Sequence, residues 1–453
     1  MMYDDTISAI STPLGEGGIG IVRMSGPQAI PIAEEMFFSA RGISLQEAKS
    51  HTLHYGTIVS QGREIDEVLV TVMHSPRTYT RENIVEINCH GGIVALRAVL
   101  DLTLRKGARL AERGEFTKRA FLNGRISLDQ AKSVLDIVKA KTKLGLEAAV
   151  DQLHGRFSEG IASIRDTIAE LLAEIDAGID FPDQVEQIGQ ILPRLVKLID
   201  YTNKLLSQGE QGKIVTDGLT ITLAGRTNVG KSTLFNALLA EERAIVTPIP
   251  GTTRDTVEEE VTISGVLFRI IDTAGLCEPT GQIEEQGVRR TERAISRADL
   301  VLLLLDGSSP LTSEDHALLE RNWGKPALVV INKSDLPCKI QQTIPGTAKN
   351  AYKISAKNGE GIKQLSHGIV NLLLGGHIPS KQTILLLDVW EQDLLLRVNN
   401  LLNNAVGALK NAQSPDMVAE QLRSAHKAAG ELQGIDLSKD VLDHIFARFC
   451  IGK

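Results

Sequence analysis

The eight residues Gly225-Arg226-Thr227-Asn228-Val229-Gly230-Lys231-Ser232 have types and spacing that suit one chemistry, the holding of a polyphosphate. Glycines at the two ends of the loop let backbone N–H groups approach phosphate oxygens. Lys231 can reach the outer phosphates, and the Ser232 hydroxyl suits magnesium. Downstream, Asp272-Thr273-Ala274-Gly275 offers an aspartate that can hold magnesium through water and a glycine N–H that can sense a terminal phosphate. Asn332-Lys333-Ser334-Asp335 adds a carboxylate able to accept from the N1–H and amino group of guanine, a pattern adenine reverses. Ser355-Ala356-Lys357 would back the base.

These residues need strands that end at a common edge, and the surrounding sequence supplies them. The apolar runs LTITLAG, LFRIIDTAG, DLVLLLLDG, ALVVINKSD and AYKISA alternate with helical segments over 217–376, which predicts a mostly parallel α/β sheet. LTITLA precedes the glycine loop and the helical TLFNALLA follows it from Thr233, the context a phosphate loop requires. Taken together and in order, the four motifs resemble the P-loop GTPase family. Many such proteins orient water with a glutamine directly after the aspartate-glycine motif. Leu276 stands there and cannot, so another residue or a partner must do so.

The rest of the chain has two further textures. Residues 1–118 mix short β-like runs (IGIVRMSG, EVLVTVM, NIVEINCHGG) with a helical stretch at 93–106, an α+β pattern. Helical periodicity fills 119–216 and returns over 377–453, which predicts a discontinuous helical domain with the α/β domain inserted into it. With 453 residues, several domains are expected. The 49 basic and 56 acidic residues give a net charge of −7, which excludes a globally basic nucleic-acid coat, and 4% aromatics argue against a base-stacking platform. The acidic start MMYDDTISAI does not read as a signal peptide, and the four scattered cysteines form no CxxC pair, so a cytoplasmic protein with no membrane association is expected. Gly15-Glu16-Gly17-Gly18-Ile19-Gly20 fits a dinucleotide fingerprint but leads into the β-like IVRM rather than a helix, so a turn is expected.

The segment AIVTPIPGTTRD (244–255) resembles the switch loop of bacterial GTPases that process RNA or assemble ribosomes. DTISAISTPLGEGGIGIVRMSG, NIVEINCHGG, RGEFTKRAFLNGRISLDQAK and the terminal FCIGK then make the whole chain resemble the MnmE (TrmE) family, tRNA-uridine-modifying GTPases. The resemblance implies a homodimer formed through the N-terminal domain. It implies a flavin- and NADH-using partner, MnmG (GidA), in a heterotetramer or larger complex acting on tRNA. The product would carry an aminomethyl-type group, such as carboxymethylaminomethyl, at C5 of the wobble uridine. A 5-formyl- or 5,10-methylene-tetrahydrofolate would be bound by the N-terminal domain.

Residue by residue, the resemblance assigns GTP to Asn228, Val229, Gly230, Lys231, Ser232, Thr233, Thr247, Ile249, Gly251, Thr252, Thr253 and the three motifs above. Magnesium falls to Ser232 and Thr253, and potassium to Asn228, Thr252 and the carbonyls of Thr247 and Ile249. Glu284 would position the attacking water. Arg23, Glu86, Arg125 and Lys453 would bind folate, with arginine at 125 where lysine is expected. Cys277 stands where the family usually has arginine. Cys450 reads either as a small buried residue closing the amphipathic HIFARFC or, beside Lys453, as a thiol serving the modification chemistry. His90 reads as structural or as a neighbour of the folate. The nucleotide motifs alone also fit a ribosome-assembly or RNA-binding switch GTPase, from which the N-terminal domain and FCIGK separate this chain.

Overall fold

The computed structural model describes residues 4–180, 188–241, 258–272, 295–321, 323–340, 351–375, 380, 383–435 and 437–452. It divides into one unit of Met1–Leu135, Leu153–Arg194 and Asn400–Lys453, and a second of Asp136–Gln152 and Leu195–Asn399.

In the first unit, β1 (Ile7–Ile10), β2 (Gly20–Ser25), β3 (Phe37–Ser39), β4 (Thr52–Ser60), β5 (Arg63–Met73), β6 (Ile84–Cys89) and β7 (Arg109–Leu110) form one sheet in the order β3-β4-β5-β6-β2-β1-β7. All neighbours are antiparallel except β1 and β7. Inward residues at period two, such as Val68, Val70 and Val72 on β5, pack under the helices Ala29–Met36 and Ile93–Arg105. The three β-like runs become β2, β5 and β6. β1, β3, β4 and β7 carry weaker patterns: β4 exposes Leu53 and Tyr55 and is interrupted by Gly56. Residues 15–19 are bends that lead into β2, so the glycine pattern there opens no helix.

The helical segment after residue 118 resolves into Glu115–Leu122, Leu128–Lys139, Lys143–Leu153, Arg156–Asp180 and Ile188–Asp217. Ile161, Ile164, Ile168, Leu171 and Ile175 mark one stripe of Arg156–Asp180, which packs along Pro415–Leu432 through Val418, Leu422, Ala425 and Ala429. Arg165 donates to His426 (3.3 Å) and Gln433 (2.9 Å) beside that seam.

In the second unit, β8 (Leu219–Ala224), β9 (Glu258–Ile263), β10 (Val266–Asp272), β11 (Leu300–Asp306), β12 (Ala327–Asn332) and β13 (Ala351–Lys353) run in the order β13-β12-β11-β8-β10-β9. Five are parallel, and β9 is an antiparallel edge. The β11 run Leu300–Leu305 is buried throughout, as a parallel strand covered on both faces must be. β9 was not apparent in the sequence because it opens with three glutamates, residues an edge strand tolerates. From β8 the chain goes to β9 and back to β10 on one side, then reaches β11 on the other. A crevice therefore opens beyond the carboxyl end of β8, at the switch in strand order.

Charge is buried where the helix Glu115–Leu122 meets the first sheet. Arg119 is fully buried and donates to Asp5 Oδ1 (2.7 Å), Glu115 Oε1 (3.0 Å) and Glu82 Oε1 (3.2 Å). Arg109 closes the network on Glu115 (2.5 Å) and Asp5 (2.8 Å). Burial pushes both carboxyls up, but the Arg109 and Arg119 contacts outweigh it. Asp5 and Glu115 therefore end below their ordinary values of 3.8 and 4.5. Removing Arg119 would strand buried carboxylates, so Arg119→Met is expected to lower stability by about 3–5 kcal/mol in urea titrations of the full chain. Because these carboxyls are depressed in the fold, their contribution is present above pH 4.5 and lost as pH falls through their folded values. The parent should therefore lose stability below pH 4.5 more steeply than Arg119→Met.

Candidate nucleotide and folate sites

The glycine loop leaves β8 at Ala224 and opens the helix Lys231–Glu241, so it sits at the carboxyl edge where the strand order switches. The first turn of that helix presents N–H groups without intrahelical partners, a natural anion site. Asn228 holds a positive φ of 63° at the loop's exposed tip, with Ser232 and Thr233 exposed at the helix start. Val229 is buried beneath the loop, and Lys231 folds back so that Nζ donates to the carbonyls of Gly225 (2.6 Å) and Arg226 (2.8 Å). Gly230 has φ +97°, and a Cβ there would lie 2.3 Å from Asn332 Nδ2. Glycine is needed both for the backbone angle and for that close approach.

Asn332 ends β12 and is buried. Its Nδ2 donates to the Val229 carbonyl (2.9 Å), and its Oδ1 accepts from the Ala356 N–H (3.0 Å). One side chain thus joins the phosphate loop, the asparagine motif and the serine-alanine-lysine motif. Ser355 Oγ donates to Asp335 Oδ1 (2.7 Å), and this bond leads the causes that hold the Asp335 carboxyl below its usual value. Asp335 is exposed and ionised, so it can accept from a base. Lys333 pairs with Asp306 (2.7 Å) at the end of β11, while Lys357 stays exposed. Asp272 ends β10 on the same edge; its side chain, with Thr247, Ile249, Gly251, Thr252, Thr253, Thr273, Ala274, Gly275, Glu284 and Lys453, lies outside the described residues.

A second cluster forms in the first unit. Arg23 on β2 and Glu86 on β6 are register partners, and their side chains pair at 2.7 Å. Arg23 Nη1 also donates to the Gly452 carbonyl (3.2 Å), and its guanidinium lies 5.7 Å from the Phe116 ring centre. Arg125 stacks over Tyr79 at 4.8 Å. Burial raises the Tyr79 phenol, and its hydrogen bond with Thr117 and the charges of Arg125 and Arg23 oppose that rise. The chain end is pinned here: Arg113 bridges Ile451, the Cys450 carbonyl accepts from Gly114 (3.3 Å), and a Cβ on Gly452 would strike the Ile10 carbonyl at 2.4 Å. Arg23, Glu86 and Arg125, which are far apart in sequence, therefore meet beside the residue preceding Lys453. Two guanidiniums, a carboxylate and two rings suit a flat, carboxylate-bearing ligand.

Cys450 is exposed rather than a small buried residue, whereas Cys89 is buried and its thiol is pushed up to about 12 by burial and Asp66. His90 is held by Asp66 through Nδ1 (2.6 Å), which raises its pKa, and through its N–H (2.9 Å). Asp66 carried no sequence signal, because it joins His90 only through the pairing of β5 with β6.

A family described as the MnmE helical domain matches residues 128–450, and one described as the GTP-binding protein TrmE N-terminus matches 6–125. A protein named tRNA modification GTPase MnmE from Geobacillus kaustophilus (strain HTA426) is 44% identical over 459 residues, 99% of each chain. Its namesake from Alkaliphilus metalliredigens (strain QYMF) is 42% identical over 462 residues, all of both chains. This chain belongs to the MnmE family. The MnmE match covers both clusters in full, so the phosphate loop and the Arg23–Glu86 pair are parts of one protein of this kind. No helix among the described residues is long and apolar enough to cross a membrane.

Gly230→Ala tests the loop geometry of this MnmE-family chain. A Cβ meeting Asn332 Nδ2 at 2.3 Å must push the loop from its clamp. Fluorescent guanine-nucleotide titration should read at least a roughly tenfold loss of affinity, with the circular dichroism spectrum unchanged.

Proposed function

We propose that the chain hydrolyses GTP as the motor subunit of a tRNA-modifying complex, installing an aminomethyl-type group, such as carboxymethylaminomethyl, at C5 of the wobble uridine. The observation that carries the reading is Asn332, whose buried amide ties the phosphate loop to the residues that would read guanine. The family supplies the RNA side of the reading, since the relatives above are named for tRNA modification.

The division of labour follows from the chain. Residues 217–376 act as the GTPase domain, 1–118 as the folate-binding and dimerisation domain, and 119–216 with 377–453 as the helical domain. Lys231 exchanges its two carbonyl partners for phosphate oxygens, and Asp335, kept ionised, accepts from guanine and disfavours adenine. Ser232 and Thr253 would hold magnesium, and Asn228 with Thr247, Ile249 and Thr252 would hold potassium. The potassium would supply positive charge between the phosphates where other GTPases use an arginine. Asn228 fits such a role, being an exposed amide on a strained loop tip. Glu284 replaces the missing glutamine in orienting water.

In the first unit, the Arg23 and Arg125 guanidiniums would take folate carboxylates and Glu86 the pterin amino edge, with Lys453 alongside. The bound folate supplies a one-carbon unit. The exposed Cys450 thiol lies in the same terminal segment and would serve that chemistry. MnmG would bring FAD and NADH in a heterotetramer or larger complex, in the cytoplasm. Homodimerisation is supported by the uncovered sheet face on which Phe38, Leu53, Tyr55 and Leu69 all stand exposed, Tyr55 and Leu69 being register partners.

GTP turnover should be several-fold faster in potassium than in sodium, and Glu284→Ala should lose turnover while keeping GTP affinity; equal rates in the two salts would remove the Asn228 ion site. Equilibrium dialysis should find 5-formyl-tetrahydrofolate bound by the parent and about tenfold more weakly by Arg23→Ala. A mass-spectrometric nucleoside profile of tRNA from cells lacking the gene decides the function itself. Loss of 5-aminomethyl-type uridines, restored with the gene, is the result expected; an unchanged profile would leave a switch GTPase of ribosome assembly.

A further inference from the structure

The loop that joins β11 to the helix Ser313–Glu320 contains no nucleotide motif, yet it touches both halves of the nucleotide site. At its start, Asp306 accepts from Lys333 Nζ (2.7 Å) and from the Ser308 N–H (2.9 Å), while the Gly307 N–H donates to the Asn332 carbonyl (2.9 Å). Further on, Ser309 Oγ accepts from Arg226 Nη2 (2.6 Å), and Arg226 Nε lies 3.3 Å from Asp315 Oδ2. Arg226 is the second residue of the phosphate loop, and its carbonyl is one of the two that hold Lys231 Nζ.

Asp315 also caps its helix: Oδ2 accepts from the Thr312 N–H (2.9 Å) and from Thr312 Oγ1 (2.9 Å), and Thr312 Oγ1 accepts from the Asp315 N–H (3.3 Å). A capping box needs only those bonds. Yet Asp315 is 1% exposed, and among the described residues neither its Oδ1 nor Arg226 Nε has a hydrogen-bond partner. Burying a charged carboxylate with one oxygen unsatisfied is costly, and helix capping does not offset that cost. The guanidinium beside it can. The one loop therefore links the phosphate loop, through Arg226, to the guanine-reading motif, through Lys333 and Asn332.

We propose that Asp315, acting through Arg226, is a positioning residue for the phosphate loop. It holds the Arg226 peptide in place, and with it the path of the phosphate loop, and the Asp306–Lys333 end of the same loop keeps that path in register with the base-reading residues. The proposal rests on the GTPase reading and adds to it a positioning pair outside the nucleotide motifs.

The test uses the full chain and mant-GDP, with steady-state GTP hydrolysis alongside. Asp315→Asn keeps a capping oxygen but removes the charge. It is expected to raise the mant-GDP Kd and the GTP KM about tenfold while kcat stays within about twofold. Arg226→Gln, which leaves the cap intact, should give the same rise, and the double variant no more than either single. Glu314→Gln, which removes the neighbouring exposed charge of the same first turn and leaves Thr312 and Asp315 in place, should leave KM at the parent value. A parent-like KM in Asp315→Asn, additive effects in the double variant, or an equal KM rise in Glu314→Gln would each overturn the proposal. If Asp315→Asn does not fold, Arg226→Gln decides alone, a parent-like KM overturning the proposal. A parent that bound no mant-GDP would overturn the GTPase reading and this proposal with it; a parent that binds while the variants match it overturns this proposal only.

Discussion

Asn332 donates to the Val229 carbonyl and accepts from the Ala356 N–H, and the nucleotide site is organised around that single buried amide. Neither bond could be made if β8, β12 and β13 did not end on the same edge, which parallel pairing guarantees. The amide in turn explains why residue 230 lacks a side chain, since any Cβ there would occupy the space of the asparagine nitrogen. Leaving a buried amide unpaired costs about 1–3 kcal/mol per lost partner, so a shift in one loop is resisted by the other two. Precision in the phosphate loop is thus a property of the sheet edge rather than of the loop alone.

The first unit reaches the same end by burying charge instead. Arg119 is tolerated in the interior only because Asp5, Glu82 and Glu115 surround it, and Asp5 and Glu115 in turn stay ionised because Arg119 and the exposed Arg109 outweigh their burial. The helix Glu115–Leu122 is fixed to the sheet by this network, and it carries Phe116 and Thr117 to the side where Arg23, Tyr79 and Arg125 gather. The chain terminus packs into the same place, with Phe446 and Phe449 stacked at 5.4 Å and Gly452 against Ile10. A rigid ionic frame on one side and a docked tail on the other give the Arg23–Glu86 pair its fixed geometry.

Legibility varied with the kind of signal. The parallel strands of the second unit were apparent because burial on both faces forces continuous apolar runs, of which Leu300–Leu305 is the clearest. β9 was hidden because an edge strand can carry glutamates, and β4 because one of its faces presents Leu53 and Tyr55 to solvent instead of a polar alternation. Helical periodicity over 119–216 was plain, but not where it breaks: Asn123 and Gly124 end one helix and Ser127 precedes the next, a local capping effect that a periodic pattern does not register. Asp66, Asp306 and Asp315 had no motif around them. Each gained its partner only by proximity across strands or loops.

By itself the sequence determined the chemistry available to this protein. Phosphate cradling and guanine reading follow from side-chain donors, acceptors and backbone freedom at short spacing, and the family follows from matching runs along the whole chain. Only the tertiary structure decided which distant residues act together: Arg23 with Glu86 and the Gly452 carbonyl, Asn332 with Val229 and Ala356, and Arg226 with Ser309 and Asp315. The physical reason is that these pairings depend on strand register and on the cost of burying unpaired polar groups. Both are settled across tens to hundreds of residues, beyond the reach of any local pattern.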